Sequence, residues 1–222
     1  MTDADEAQPI RVLLVDDDPL VCSGLELILS SADDIRVVGT AADGDQAVPA
    51  VQQHFPDVVL LDVRMPRVDG IAATAALRAL PSPPRVIVLT TFDADDIVMR
   101  AIGAGAAGFL LKTAPAADIL AAIRNVHGGD GALSPRSARR VFEQVGGAGA
   151  ERATARAALD GLTDRERDVV RLVGEGLSNQ QIGIQLYVGE ATVKTHLASA
   201  QRKLGVEGRV RLAVFASKAG LV

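Results

Sequence analysis

Five short runs of Val, Ile and Leu through the first half of the chain restrict its fold more than any other feature. Residues 10–15, 57–61, 85–89 and 106–111 are almost unbroken apolar runs, and 35–38 is a weaker member. Such runs, without polar alternation, suit strands buried on both faces of a parallel sheet. Stretches with helical spacing lie between them: Leu20, Gly24, Leu27 and Ile28; Ile71, Ala75 and 77–79; Ile119, Ala122, Ile123 and Val126. This alternation predicts an α/β domain, a doubly wound sheet with right-handed crossovers. Pro56 and Pro84 stand just before strands, where a helix has to end. Pro49 falls inside the expected second helix, 43–54, so that helix either kinks or restarts with Pro49 in its first turn.

After Gly128 the strand pattern stops. Residues 134–145 predict one helix, with Ser134 as N-cap and Pro135 at the first position. Residues 146–159, rich in Gly and Ala, read as a flexible linker. The rear is all helix signals. Thr163 with Glu166, and Ser178 with Gln181, form capping boxes. A third helix starts at Gly189 and Glu190, carries Val193, Leu197, Ala200 and Leu204 on one face, and closes at Gly205. Residues 208–218 form a fourth. The expected division is 9–128, a linker at 129–159, and an all-α four-helix domain at 160–222.

Charge separates the same regions. Residues 1–128 hold 18 acids and 9 bases, while 189–222 hold 6 bases and 2 acids. Two domains with different partners are implied. An apolar fraction of 48% excludes general disorder. The acids Asp3, Asp5 and Glu6 are unlike the start of a signal peptide, and no run is long enough for a membrane helix. The expectation is a cytoplasmic protein with no membrane partner. One cysteine, Cys22, excludes an internal disulfide and a cysteine-cluster metal site.

In open parallel sheets, ligands bind beyond the carboxyl ends of the strands. Here the first strand is followed by Asp16, Asp17 and Asp18, the third by Asp62, the fourth ends at Thr90, and the fifth is followed by Lys112. Taken singly, Asp18 before Pro19 reads as an N-cap, Thr90 as a β-branched strand residue and Lys112 as a surface charge. Together they predict carboxylates, a hydroxyl and an ammonium on one rim. Converging carboxylates repel unless a cation neutralises them, and an all-oxygen ligand set favours Mg²⁺. A carboxylate beside Mg²⁺ can attack phosphorus, and a lysine opposite can hold a phosphate oxygen.

Val15-Asp16-Asp17, the segment Leu61-Asp62-Val63-Arg64-Met65-Pro66, Asp69-Gly70, Leu89-Thr90 and Leu110-Leu111-Lys112 resemble the receiver domain of two-component response regulators. The resemblance covers about 9–127. It implies a flavodoxin-like five-stranded sheet of order 2-1-3-4-5, with Asp62 as phosphoacceptor from a histidine kinase. It further implies Mg²⁺ held by Asp17 and Asp62, with Asp16 acting through water and the Arg64 carbonyl as another ligand. Lys112 would hold the phosphate, Thr90 would move to bond it, and Phe109 would be the aromatic switch. Thr113 stands where the family often has Pro.

In the rear, the second and third helices joined by Tyr187-Val188-Gly189 have helix-turn-helix spacing. Lys194, Ala198 and Gln201, with Thr195 beside them, face away from the apolar side of the third helix. The basic surplus suits phosphate contacts. The segments 162–167, 176–179, 191–196 and 203–206 resemble the LuxR-type helix-turn-helix, and paired with a receiver they indicate the NarL/FixJ subfamily. The resemblance implies Lys194, Thr195 and Ala198 at base edges. Asn179, Thr192, His196, Arg202 and Lys203 would lie near phosphates of double-stranded DNA. Gly189 replaces a usual Ser, losing a side-chain cap, and Gly183 replaces a usual Ala, weakening its helix. Val210, Ala213, Val214 and Ser217 on the last helix suggest a homodimer contact or packing within the domain.

The expectation is therefore a DNA-binding transcription regulator, not an enzyme, switched by phosphorylation of Asp62. The alternatives are a Mg²⁺-dependent aspartyl-phosphate phosphohydrolase and a regulator that works without phosphate. Arg64, where such a hydrolase needs a second acid, argues against the first. The intact acidic rim argues against the second.

Overall fold

The computed structural model describes residues 8–90, 95–133 and 149–222. They form two compact units, one of residues 8–90 and 100–128 and the other of residues 95–99, 129–133 and 149–222. In the first, β1 (Ile10–Val15), β2 (Ile35–Ala41), β3 (Val58–Asp62), β4 (Arg85–Thr90) and β5 (Gly108–Leu111) lie in the order β2-β1-β3-β4-β5. Their pairings are parallel. β3 is buried throughout, and β1 and β4 expose one residue each. With both sheet faces covered there is no wet side to select polar alternation, so the runs are unbroken. The crossovers carry α1 (Pro19–Leu29), α2 (Ala47–His54), α3 (Gly70–Arg78), α4 (Asp95–Ala104) and α5 (Ala116–His127). The five strands and their order are those expected; a further two-residue strand, β6 (Ala132–Leu133), follows in the chain. Two residues are too few to leave a periodic signal.

The apolar residues read as one face of α1 do not define its buried side. Leu20 and Leu27 are 81% and 76% exposed, and Cys22, Leu25 and Leu29 are buried instead. The period was right and the phase wrong, because α1 is apolar on more than one side. Pro49 is the third residue of α2, which follows a short 3₁₀ turn at Gly44–Gln46. The helix restarts rather than kinks, since a first-turn residue has no intrahelical N–H bond to lose. Among the described residues, no helix is long and apolar enough to cross a membrane.

The second unit contains α6 (Gly149–Ala158), a 3₁₀ turn (Leu159–Gly161), α7 (Asp164–Gly174), α8 (Asn179–Leu186), α9 (Glu190–Leu204) and α10 (Arg209–Lys218). The last four are the helices expected. α6 corrects the flexible-linker reading of 146–159. Ala and Arg are strong helix formers, and Ala155 and Leu159 lie four apart and join the core of the unit. The helix expected over 134–145 lies outside the described residues. Both capping boxes form: Thr163 Oγ1 accepts from Glu166 N and Ser178 Oγ from Gln181 N, with each third-position side chain reaching back. Tyr187 ends α8 in the left-handed region at φ 56°, turning the chain into α9.

Candidate functional site

Strand register builds the rim of the first unit. Val15 pairs with Leu61, so the next residues, Asp16 and Asp62, leave the sheet side by side. Thr90 pairs with Leu111, and Lys112 N donates to Thr90 O at 2.8 Å, which brings Lys112 beside them. Single carboxylate oxygens of Asp16, Asp17 and Asp62 lie within 4.8 Å of one another. Asp16 and Asp62 are buried, and Asp17 is exposed. Lys112 Nζ is 2.6 Å from Asp16 Oδ2 and 3.2 Å from Asp62 Oδ1. Asp16 Oδ1 also accepts from Asp18 N at 3.0 Å, and Asp62 Oδ1 from Val63 N at 2.8 Å. Asp18 caps α1 through Leu20 N at 2.9 Å and stands apart from the cluster.

One ammonium cannot balance three carboxylates. Burial pushes the Asp62 carboxyl above its ordinary range, and the Asp16 charge adds to this against the opposing pull of Lys112. Burial disfavours the Lys112 ammonium, but its bonds to Asp16 and Asp62 outweigh that and raise its pKa. The remaining negative charge and the all-oxygen donor set fit a hard divalent cation. Thr90 and Phe109 are buried, Phe109 at 1% exposure. Arg64 lies two residues past Asp62 with its side chain outward. The loop after β3 closes back on the strand, with Gly70 N donating to Val63 O at 2.9 Å. A Cβ at Gly70 would meet the Asp62 carbonyl oxygen at 2.0 Å, so that residue has no room for a side chain.

In the second unit the candidate DNA contacts divide. On α9, Thr192, Lys194, Thr195, Ala198 and Arg202 are exposed, and His196 is half-buried. Lys194 pairs with Glu190 at 3.1 Å along the helix, and Thr195 Oγ1 donates to Ala191 O at 3.0 Å. Lys203 is exposed on α9, whereas Asn179 is placed differently from the sequence expectation. Lys203 Nζ donates to Glu166 Oε2 at 2.7 Å, tying α9 to α7. Asn179 is 1% exposed; it accepts from Arg209 Nη1 at 2.8 Å and donates to Asp130 Oδ1. Arg209 also donates to the Leu177 carbonyl. A polar residue at a helix start reads as solvent-facing in sequence, and nothing local reveals that an arginine thirty residues on will bury it.

Two other readings sharpen. Val210 and Ala213 are buried within the unit, the packing alternative for the last helix, and Val214 and Ser217 are partly exposed. Gly183 is more than a weak helix former: a Cβ there would lie 2.8 Å from the Val188 carbonyl oxygen, in the turn that leads to α9.

A parallel sheet with an acidic pocket at its carboxyl edge, followed by a helix-turn-helix unit, is the architecture of a phosphorelay regulator that binds DNA. Residues 12–124 match the family described as response regulator receiver domain, and 160–216 the bacterial regulatory proteins of the luxR family. The chain is 40% identical over 213 residues to the transcriptional regulatory protein LiaR of Bacillus subtilis, covering 96% of this chain and 99% of LiaR. It is 33% identical over 208 residues to the nitrate/nitrite response regulator protein NarL of Escherichia coli K12, covering 94% and 95%. The crystal structure of the response regulator ChrA of a heme-sensing two-component system superposes with a TM-score of 0.53 at 37% identity, covering 96% and 99%. The chain belongs to the NarL/FixJ-type response regulators, and it is a DNA-binding two-component response regulator.

Proposed function

We propose that Asp62 is the phosphoacceptor, that Mg²⁺ is the cation of the pocket, and that a histidine kinase is the donor. The observation that supports this is the meeting of Asp16, Asp17 and Asp62 within 4.8 Å around Lys112. Asp62 Oδ1 is engaged by Val63 N and Lys112, which leaves Oδ2 to attack phosphorus. The phosphorus–nitrogen bond of the donor phosphohistidine breaks as the acyl phosphate forms, and the imidazole leaves with a proton. Asp17 and Asp62, with the Arg64 carbonyl, would hold Mg²⁺, and Asp16 would reach it through water. The ion supplies positive charge to phosphoryl oxygens in a transition state that needs little else. Lys112 Nζ, already 3.2 Å from Asp62, holds another phosphoryl oxygen. Thr90 then bonds the phosphate and Phe109 turns, reshaping the surface of the last strands and helices.

The same reading assigns DNA contacts to the exposed face of α9. Lys194, Thr195 and Ala198 meet base edges, and Thr192, His196 and Arg202 lie near phosphates. Phosphorylation favours a homodimer on two half-sites, and the protein acts in the cytoplasm. The test is labelling of the full chain by a small phosphodonor in Mg²⁺. Asp62→Asn abolishes label, and retention of label at the wild-type rate overturns the assignment. Footprinting with and without phosphodonor tests the DNA half: Lys194→Ala should lose base protection, and unchanged protection would remove Lys194 from the interface.

A further inference from the structure

The turn between β2 and α2 carries two aspartates, either side of a glycine, that bind the phosphoacceptor loop rather than their own helix. Asp43 precedes the 3₁₀ turn, where an aspartate usually caps the helix, yet its side chain makes no capping bond. It is 1% exposed, and its carboxylate accepts from Arg67 N at 3.0 Å and Val68 N at 2.9 Å. Two residues on, Asp45 receives the Arg67 guanidinium in a two-pronged pair at 2.6 and 2.8 Å. Between them a Cβ at Gly44 would lie 2.3 Å from the Val68 carbonyl oxygen, so a side chain there would force the two segments apart. Burial opposes ionisation of Asp43, but the backbone donors of Val68 and Arg67 and the Arg67 charge outweigh it and hold the carboxyl below its ordinary value.

The loop 63–69 is anchored to the sheet near its ends. Val63 N donates to Leu89 O at 3.1 Å, and Gly70 N returns to Val63 O at 2.9 Å. Arg64 lies between the Val63 anchor and the Asp43 clasp. We propose that the Asp43-Gly44-Asp45 turn is a positioning device for the phosphorylation site, holding 63–69 so that the Arg64 carbonyl faces the cation of Asp17 and Asp62. This rests on the Mg²⁺ reading above. Asp43 does not touch the reacting atoms; it acts through the loop backbone.

The experiment measures Mg²⁺ dependence with the full chain: calorimetric titration of Mg²⁺ alone, and initial labelling rate by acetyl phosphate across Mg²⁺ concentrations. Asp43→Asn keeps the size but turns one acceptor into a donor facing an N–H. It should raise the Mg²⁺ concentration for half-saturation about tenfold, the effect typical of a group that orients a metal ligand. The rate at saturating Mg²⁺ should return to near the wild-type value. Asp45→Ala, at a half-exposed position that does not threaten folding, should give a rise of about threefold. Gly44→Ala should act in the direction of Asp43→Asn. A merely structural role would lower the folded fraction without moving half-saturation. Folded variants whose half-saturation matches wild type overturn the clasp; if Asp43→Asn does not fold, Asp45→Ala and Gly44→Ala decide. Asp62→Asn is the separate control: label on that variant defeats the phosphoacceptor reading and leaves the clasp result distinguishable.

Discussion

Both units bury charge, but they bury it in opposite ways. In the second unit the buried side chains of Glu166 and Asn179 meet their complements. Glu166 takes the Lys203 ammonium and the Thr163 N–H, and Asn179 lies between Asp130 and Arg209. In the first unit, Asp16 and Asp62 are buried next to each other with Asp17 nearby and one lysine among them. Complementary burial fixes a fold, and like-charge burial is a site waiting for a ligand. Asp43 shows that location alone does not decide the type: it lies in the first unit but is paired like a residue of the second.

The largest effect should come from breaking a complementary pair. Glu166→Gln removes the charge facing Lys203 and should cost roughly 2 kcal/mol, read as a lower thermal midpoint by circular dichroism. An unchanged midpoint would mean the pair contributes nothing. The same interaction predicts a pH dependence. Lys203, Ser199 and the Thr163 N–H hold the Glu166 carboxyl down to about 2, from an ordinary 4.5. Its contribution is complete above the ordinary value and is lost as pH falls through about 2. In the Glu166→Gln variant that part of the acid-unfolding curve should vanish. Asn179→Ala leaves the Arg209 guanidinium short of an acceptor and should cost about 1.5 kcal/mol by the same measurement.

The acidic pocket should respond with the opposite sign. Asp62→Asn in Mg²⁺-free buffer removes a buried charge from a repulsive cluster and should stabilise the chain by roughly 1 kcal/mol. Destabilisation of that size would make Asp62 a structural group like Glu166 and erase the contrast. The smallest effect concerns a cap. Gly189 is extended at φ −69°, and a Cβ there has nothing within 4 Å. Gly189→Ser should therefore stabilise α9 by a few tenths of a kcal/mol, visible as a small rise in thermal midpoint.

Local chemistry made much of this protein legible in one dimension. A strand buried on both faces must be apolar along its length, so β1, β3 and β4 announce themselves. A capping box closes within four residues, so the starts of α7 and α8 could be read directly from Thr163 and Ser178. Strand ends reach one edge of a parallel sheet, which made Asp16, Asp62, Thr90 and Lys112 candidates for one rim. What tertiary structure alone decided were the pairings between residues far apart in the chain. Leu20 and Leu27 share a helical spacing with no sign of which side the sheet will take. Asn179, expected near phosphates, is covered by Arg209, and the pairing of Lys203 with Glu166 has no sign in the sequence. Asp43 stands at the start of the helix expected over 43–54, and only the fold brings the loop after β3 to its carboxylate. The physical reason is the range of the interactions: propensity and capping act over a turn of chain, whereas a buried carboxylate takes whichever donor the fold delivers.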